Sequence, residues 1–306
     1  MKSDLVTVAL LAYEHEDYIF DCLGSIENQE GVDIELIIND DNSSDSTYEK
    51  IRQFSKTSRL KKIRMYKQKE NIGVTQSTNF LLDKITSDYF VIVAGDDLMS
   101  EGRLKKQVDA LKKNSVAAFC ISNVVWFYNR PFLKVAHHYS GKRIPTFNLD
   151  ELVSDFTLPS VSAMFNKTKI KKIRLNEKLN YISDMEFFLQ ILKIHEAAYI
   201  GESLHFYRKH SGSITSQETF LYDRLKLRRL LKKEFNFLKP KTFENFDDLI
   251  RYSLSLEFIK RKKYRKALHL ISILTWKKVF VSQKWFLRLM LLFFLLIVSI
   301  VKRNRD

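Results

Sequence analysis

Cysteine is scarce in this 306-residue chain: Cys22 and Cys120 are the only two, with neither a CxxC spacing nor the number for a disulfide framework. Each lies in an apolar neighbourhood and reads as a small core residue, which suits a reducing cytosol. Eight glycines and four prolines exclude collagen-like and low-complexity architectures. The chain lacks a GxxxxGK(S/T) phosphate loop and a GxGxxG turn, which counts against mononucleotide kinases and dinucleotide-dependent dehydrogenases. GxSxG and HExxH are also missing. His137 and His138 are adjacent, so on a strand they face opposite sides and read as structural or surface residues. The N-terminal apolar run Leu5–Tyr13 is preceded by Asp4, followed by Glu14, Glu16 and Asp17, and ends without a small-residue cleavage site. It reads as a first strand and not as a signal peptide.

Charge is plentiful but unevenly placed. The chain holds 51 Lys+Arg against 36 Asp+Glu, a net of +15. Residues 221–306 hold 22 basic and 7 acidic groups, so 51 − 22 = 29 and 36 − 7 = 29 remain for residues 1–220, which are neutral. A neutral body with a basic tail predicts an anionic surface partner for the tail alone. Within the tail, Trp285–Val301 is a 17-residue run with one charge, Arg288. As a helix it would reach roughly 25 Å, short of the roughly 30 Å hydrocarbon layer. Lys284, Lys302, Arg303 and Arg305 flank both ends, and Lys260–Lys263, Arg265 and Lys266 form a basic cluster upstream. The expectation is a helix lying in or shallowly entering a membrane surface, with anionic lipid as partner. A true span and a helix packed on protein are the alternatives. Nucleic acid is not expected, because the basic excess adjoins an apolar segment and no stacking aromatics or known module accompany it.

Through the first half, apolar β-rich runs alternate with helix-patterned segments: strands at 5–11, 34–38, 63–66, 89–94 and 116–121, with helices between them. This alternation predicts βαβ units, hence an α/β fold with a mostly parallel sheet flanked by helices. Residues 148–156 and 183–195 read as helices. Beyond about 216 the pattern becomes basic and helical. The expected division is therefore a domain over 1–215 and a basic helical region over 216–306.

In such a sheet, ligands bind at the carboxyl ends of strands. Two acidic pairs occupy those positions, Asp40-Asp41 and Asp96-Asp97. Adjacent carboxylates repel each other unless something neutralises them, and a divalent cation held by oxygen ligands does so, which makes a metal site the expectation. The plainer alternative is a pair of solvated turns with helix-capping aspartates.

Over residues 5–215, the ordered stretches Leu11-Ala12-Tyr13-Glu14, Asp40–Thr47, Asn71-Ile72-Gly73 with Asn79, Val93–Asp97 and Arg103–Gln107 together resemble glycosyltransferase family 2, inverting nucleotide-sugar enzymes with the Rossmann-like GT-A fold. Leu11-Ala12-Tyr13-Glu14 is similar to the family's P-T-Y-N stretch, and Asp40-Asp41-Asn42-Ser43-Ser44-Asp45-Ser46-Thr47 to D-D-G-S-x-D-x-T. Asn71-Ile72-Gly73 followed by Asn79 resembles the element lining the donor pocket. Val93-Ala94-Gly95-Asp96-Asp97 resembles the metal and diphosphate motif, followed by the R-L-x-x-Q helix at Arg103–Gln107. Each motif alone is weak; the ordered set is specific.

The resemblance implies that Tyr13 stacks on the base, that Asp41 bonds it, and that Asn71, Gly73 and Asn79 line the nucleotide-sugar pocket. It implies Mn2+ or Mg2+ held by Asp97, with Asp96 as a further ligand near the ribose or sugar, and His205 as an added ligand. Ile182-Ser183-Asp184 resembles the segment whose aspartate is the catalytic base, so Asp184 takes that role, with Glu186 as alternate and a simple helix cap as the bland reading. His205-Phe206-Tyr207-Arg208-Lys209-His210-Ser211 resembles the closing Y-R-x-H segment, in which Arg208 or His210 reaches the diphosphate. Two departures stand out: Ala94 replaces the first carboxylate of D-x-D-D, and the Q-x-x-R-W motif of processive synthases is missing.

The implied activity is transfer of a single sugar from a nucleotide-sugar donor, a UDP-sugar by analogy, to a glycan or lipid-linked acceptor. Bacterial surface-polysaccharide assembly on the cytoplasmic side of the membrane is the process implied. A non-catalytic sugar-nucleotide binder or scaffold of the same fold is the alternative, and Ala94 is its support.

Overall fold

The computed structural model describes residues 3–128, 134–137, 148–155, 158–210, 219–260 and 263–273, together with Met290 and Leu292. The rest of Trp285–Val301, the flanking Lys284, Lys302, Arg303 and Arg305, His138, and the stretch after His210 up to Thr215 lie outside the described residues.

The first half alternates as expected: β1 (Leu5–Ala12), α1 (Ile19–Glu27), β2 (Asp33–Asp40), α2 (Thr47–Thr57), β3 (Lys62–Lys67), α3 (Gly73–Lys84) and β4 (Tyr89–Ala94). These strands pair in parallel in the order β3-β2-β1-β4. β1 is covered on both faces, and its run Val6–Leu10 is buried throughout, which is why it reads as continuous rather than alternating hydrophobicity. The edge strand β3 is partly exposed, and its Lys62 and Arg64 lie 3.4 and 3.2 Å from the buried Glu35 carboxylate of β2.

The second half departs from a simple continuation. After β4 come β5 (Leu98–Met99), α4 (Arg103–Lys113), β6 (Ala117–Phe127), β7 (Lys134–His137), α5 (Leu149–Asp155), a 3-10 turn at Ser160–Ser162, β8 (Met164–Asn166), α6 (Lys167–Ile170), α7 (Ser183–Leu192) and β9 (Glu196–Arg208). β6 does not add directly to β4. The three-residue β8 slides between them, antiparallel to both, and β9 then pairs in parallel with β6. The sheet is therefore mixed. Two apolar layers cover it, one built with α1, α2 and α4, the other with α3, α6 and α7. Phe165 of β8 anchors the second layer, its ring centroid 5.1 Å from Phe90, 5.6 Å from Phe187 and 5.4 Å from Phe188.

The chain divides into two compact units, 1–147 with 158–214, and 148–157 with 215–306. In the second lie α8 (Thr219–Glu234), α9 (Pro240–Lys260) and α10 (Tyr264–Ile273); α8 and α10 carry a basic excess, and α9 does not. α5 belongs with them: its Asp150 accepts the backbone N–H of Lys239 (3.1 Å) and the Thr242 hydroxyl, at the start of α9. Arg228 of α8 and Asp247 of α9 form an ion pair. Among the described residues no helix is long and apolar enough to cross a membrane.

Candidate functional site

The ends of β1, β2 and β4 are level, since Ala12 pairs with Asp40 and Leu11 with Ala94. The loops leaving β1 and β2 are sewn together. Backbone N–H groups of Glu14, His15 and Glu16 donate to Ser43 Oγ (3.1 Å), Thr47 Oγ1 (2.8 Å) and Asp45 Oδ2 (3.0 Å). Asp40 accepts the Ser43 N–H and hydroxyl; burial pushes its carboxyl up, and those two bonds oppose the rise. Asn42 stands where the family motif carries glycine and has φ +65°, a left-handed conformation that asparagine tolerates better than most side chains. Tyr13 projects from the β1 end, 44% exposed.

The Asp41 carboxylate accepts the N–H groups of Ile72 (2.9 Å) and Gly73 (2.8 Å), which fixes the turn into α3. Asn71 Oδ1 also accepts the Gly73 N–H, and Gly73 itself has φ +83°. Tyr13, Asp41, Asn71 and Gly73 thus belong to the strand-end loops. Asn79 stands apart: its amide nitrogen donates to Leu175 O and Glu177 Oε1, and its oxygen accepts the Leu175 N–H, so both ends bridge α3 to the 175–177 segment.

The second acidic pair divides its labour. Asp97 is 1% exposed, and both its oxygens are acceptors: Oδ1 from the Arg208 N–H (2.9 Å), Oδ2 from His205 Nε2 (3.0 Å). His205 is fully buried, and its Nδ1 lies 2.5 Å from Arg103 Nη1. A guanidinium only donates, so Nδ1 accepts, the ring proton sits on Nε2, and it points at Asp97. Burial, then Arg103, hold the His205 pKa well below its ordinary value, so the ring is neutral. Burial lowers even Arg103, to about 10, against the opposing pull of Asp97. The expectation that Asp97 and His205 are open to a metal meets a physical obstacle: all four of their polar atoms are spent inside the protein.

Asp96 faces outward instead. Its Oδ2 lies 2.9 Å from His210 Nε2 and its Oδ1 3.8 Å from His15 Nε2, with all three side chains about 15% exposed. Burial works to raise the Asp96 carboxyl, but the His210 hydrogen bond and the two imidazoles outweigh it and keep it below the usual carboxylate range. His15 Nδ1 is buried without a hydrogen-bond partner. A carboxylate flanked by imidazoles fits a divalent cation of borderline hardness. Among the described residues no three His, Cys, Asp or Glu side chains converge closely enough to complete such a site alone, so donor or solvent oxygens would supply the remainder. Arg208 is not a free cation. Its guanidinium lies between the rings of Tyr18 (4.7 Å) and Phe127 (4.6 Å) and donates to Asp96 O (2.8 Å).

Asp184 opens α7 and is exposed. Its Oδ2 accepts the Ser160 hydroxyl (2.8 Å) and its Oδ1 the Met185 N–H (2.8 Å). Packing around its inner side desolvates the carboxyl and raises it above the ordinary value of 3.8, while the two donors and its exposed side moderate the rise. Glu186, two residues on, is buried and accepts from Gln190 Nε2 (2.9 Å).

Sequence reasoning missed His15 and Tyr18 as site neighbours, whereas the segment 158–165, which the resemblance places beside the acceptor, does bring Ser160 to Asp184, as a 3-10 turn and not as a strand. The signal for His15 was the acidic-flanked Glu14-His15-Glu16 directly after an apolar strand. Gly95 explains the approach of His15: a Cβ there would lie 2.7 Å from His15 Nδ1 and 2.9 Å from Ile19 Cδ1. Gly95→Ala is therefore expected to displace the Asp96 turn and cost about 1–3 kcal/mol of stability, readable as a lowered thermal midpoint.

The family model for Glycosyl transferase family 2 matches residues 7–184. The putative teichuronic acid biosynthesis glycosyltransferase TuaG of Bacillus subtilis is 25% identical over 216 residues, 70% of this chain and 82% of its own length. Among solved structures, S. aureus TarS 1–349 in complex with UDP-GlcNAc superposes with a TM-score of 0.62 at 15% identity, over 98% of this chain and 89% of that one. The mannosyltransferase PcManGT from Pyrobaculum calidifontis, in complex with GDP-Man and Mn2+, gives a TM-score of 0.57 at 14% identity, over 99% and 87%. Both likenesses are of fold.

Proposed function

The chain belongs to glycosyl transferase family 2, and on that premise we propose a metal-dependent, inverting, non-processive transfer of one sugar from a nucleotide sugar to a glycan or lipid-linked acceptor. A UDP-sugar is the first donor to try, because TarS was crystallised with UDP-GlcNAc. Surface-polysaccharide assembly is the process favoured, given the teichuronic acid assignment that TuaG carries. The observation that carries the reading is the pair of accessible carboxylates with opposite environments. Asp96 stands at the end of β4 beside the His210 and His15 rings, and Asp184 opens α7 with its carboxylate bonded to Ser160 and the Met185 N–H.

In this reading Asp184 removes the proton of the acceptor hydroxyl. The oxygen attacks the anomeric carbon from the side opposite the diphosphate, the bond from that carbon to the phosphate oxygen breaks, and the nucleoside diphosphate leaves. Asp96 and His210 would hold a divalent cation, with His15 beside them. Such a cation supplies positive charge for the departing diphosphate. The mixed oxygen and nitrogen donors favour Mn2+ over Mg2+. Tyr13 offers an exposed ring for the base, and the Asp41 turn borders it.

The second unit, with its excess of basic residues, would hold the enzyme at the cytoplasmic face of an anionic membrane, assisted by 285–301. A chain ending at residue 276 should lose its affinity for vesicles containing anionic lipid; retained binding would sink the membrane clause.

The decisive test is a panel of nucleotide sugars incubated with membrane extract, with Mn2+ or with a chelator, reading release of nucleoside diphosphate. Metal-dependent release from one donor supports the reading and names the sugar. Donor binding without release would favour the binding-only alternative.

A further inference from the structure

From the buried polar groups behind the two carboxylates we infer that Arg103 and Gln107 are positioning residues that hold the donor-side turn and the base-side turn in register. The inference rests on the roles proposed above for Asp96 and Asp184.

The two side chains sit one turn apart on α4, both fully buried, with Arg103 Nε donating to Gln107 Oε1 (3.1 Å). In one direction, Arg103 Nη1 meets His205, His205 meets Asp97, and Asp97 holds the Arg208 N–H, while Arg208 Nε grips Asp96 O. That path ends at the turn presenting Asp96. In the other direction, Arg103 Nη2 donates to Val161 O (3.3 Å) and Gln107 Nε2 to Ser162 O (2.7 Å) and Cys120 O (3.2 Å). Ser162 Oγ donates within the same turn to Pro159 O (2.8 Å) and accepts the Ser122 N–H (3.0 Å). That path ends at Ser160, whose hydroxyl is bonded to Asp184.

One buried guanidinium and one amide thus connect both reacting sides through backbone carbonyls, which have little freedom to move. A planar fork does this where a flexible ammonium would not. A charge this costly to bury would serve packing alone less well than an apolar side chain of equal volume. Its use here is alignment, and misalignment of about 1 Å is enough to cost on the order of 10²-fold in rate.

The test is a kinetic cycle on the full chain with the donor found in the panel. Gln107→Met should lower kcat by about tenfold or more while nucleoside diphosphate affinity, measured by calorimetry, stays within about twofold. In a Ser160→Ala background the same substitution should cost less than about twofold, because the path it acts through is already cut. A purely structural role predicts equal losses in both backgrounds; that result, or affinity falling in step with kcat, overturns the inference. If Gln107→Met melts below the assay temperature, Ser162→Ala tests the next link of the same path, since it removes the hydroxyl bonded to Pro159 O and the Ser122 N–H and almost no volume. The wild-type rate tests the proposed function and the ratio between backgrounds tests the positioning role, so the two fail separately.

Discussion

Asp184→Asn is expected to lower sugar transfer by on the order of 10²–10⁴-fold while nucleotide binding holds, because in the proposed reaction it removes the proton acceptor and nothing that faces the donor. The pH dependence gives a second readout. As the proposed base, Asp184 would have to be ionised to act, and its carboxyl is raised from the ordinary 3.8. The rate should therefore rise with pH through a limb displaced upward from the usual carboxylate range. Ser160→Ala removes a donor that favours the ionised form and should move that limb higher still. The stability effect has the opposite sign. A carboxyl raised on folding binds its proton more tightly in the folded state, so the stability it confers is present at low pH and lost as pH rises through the folded pKa. At pH 7 the asparagine variant should melt no lower than wild type. A lower midpoint accompanying the lost activity would mean that Asp184 is a structural cap and not the base.

The second large effect separates the two neighbouring aspartates. Asp96→Asn should cost on the order of 10²–10³-fold in turnover and blunt the response to Mn2+, with little change in thermal midpoint. Asp97→Asn should instead destabilise. The new amide would either oppose the His205 Nε2–H with its own N–H₂ or abandon the Arg208 N–H, and Arg103 would lose its counter-charge. Breaking a buried pair in this way costs about 3–5 kcal/mol, which for a unit of this size lowers the midpoint by about 10 °C. The reverse outcome, a stable Asp97→Asn that no longer responds to metal, would return the ligand role to Asp97.

The strands and helices of the first half were legible because each is one apolar run or one 3.6-residue stripe, bounded by Asn, Asp and Gly. β8 was not legible as an insertion. A three-residue Met164-Phe165-Asn166 strand carries no period, and its place between β4 and β6 depends on contacts across more than 70 residues. The sequence pointed to the carboxylates at the strand ends but not to their division of labour. Asp96 and Asp97 are chemically identical neighbours, and only the fold decides which one turns inward to His205. Asn79 likewise matched a motif position, and the loop at 175–177 occupies its amide.

The excursion of the chain at 148–157 has a consequence for synthesis. α5 belongs with helices that begin at residue 219, and its buried Leu152 and Val153 pack in the same unit as α9, which starts at Pro240. At about 5–20 residues per second, α9 leaves the ribosome on the order of 5–20 s after α5. During that interval two apolar side chains in the middle of the catalytic sequence have no partner. A nascent chain stalled or truncated near 215 would therefore present a helix whose apolar side is covered only once the rest of its own unit has been made.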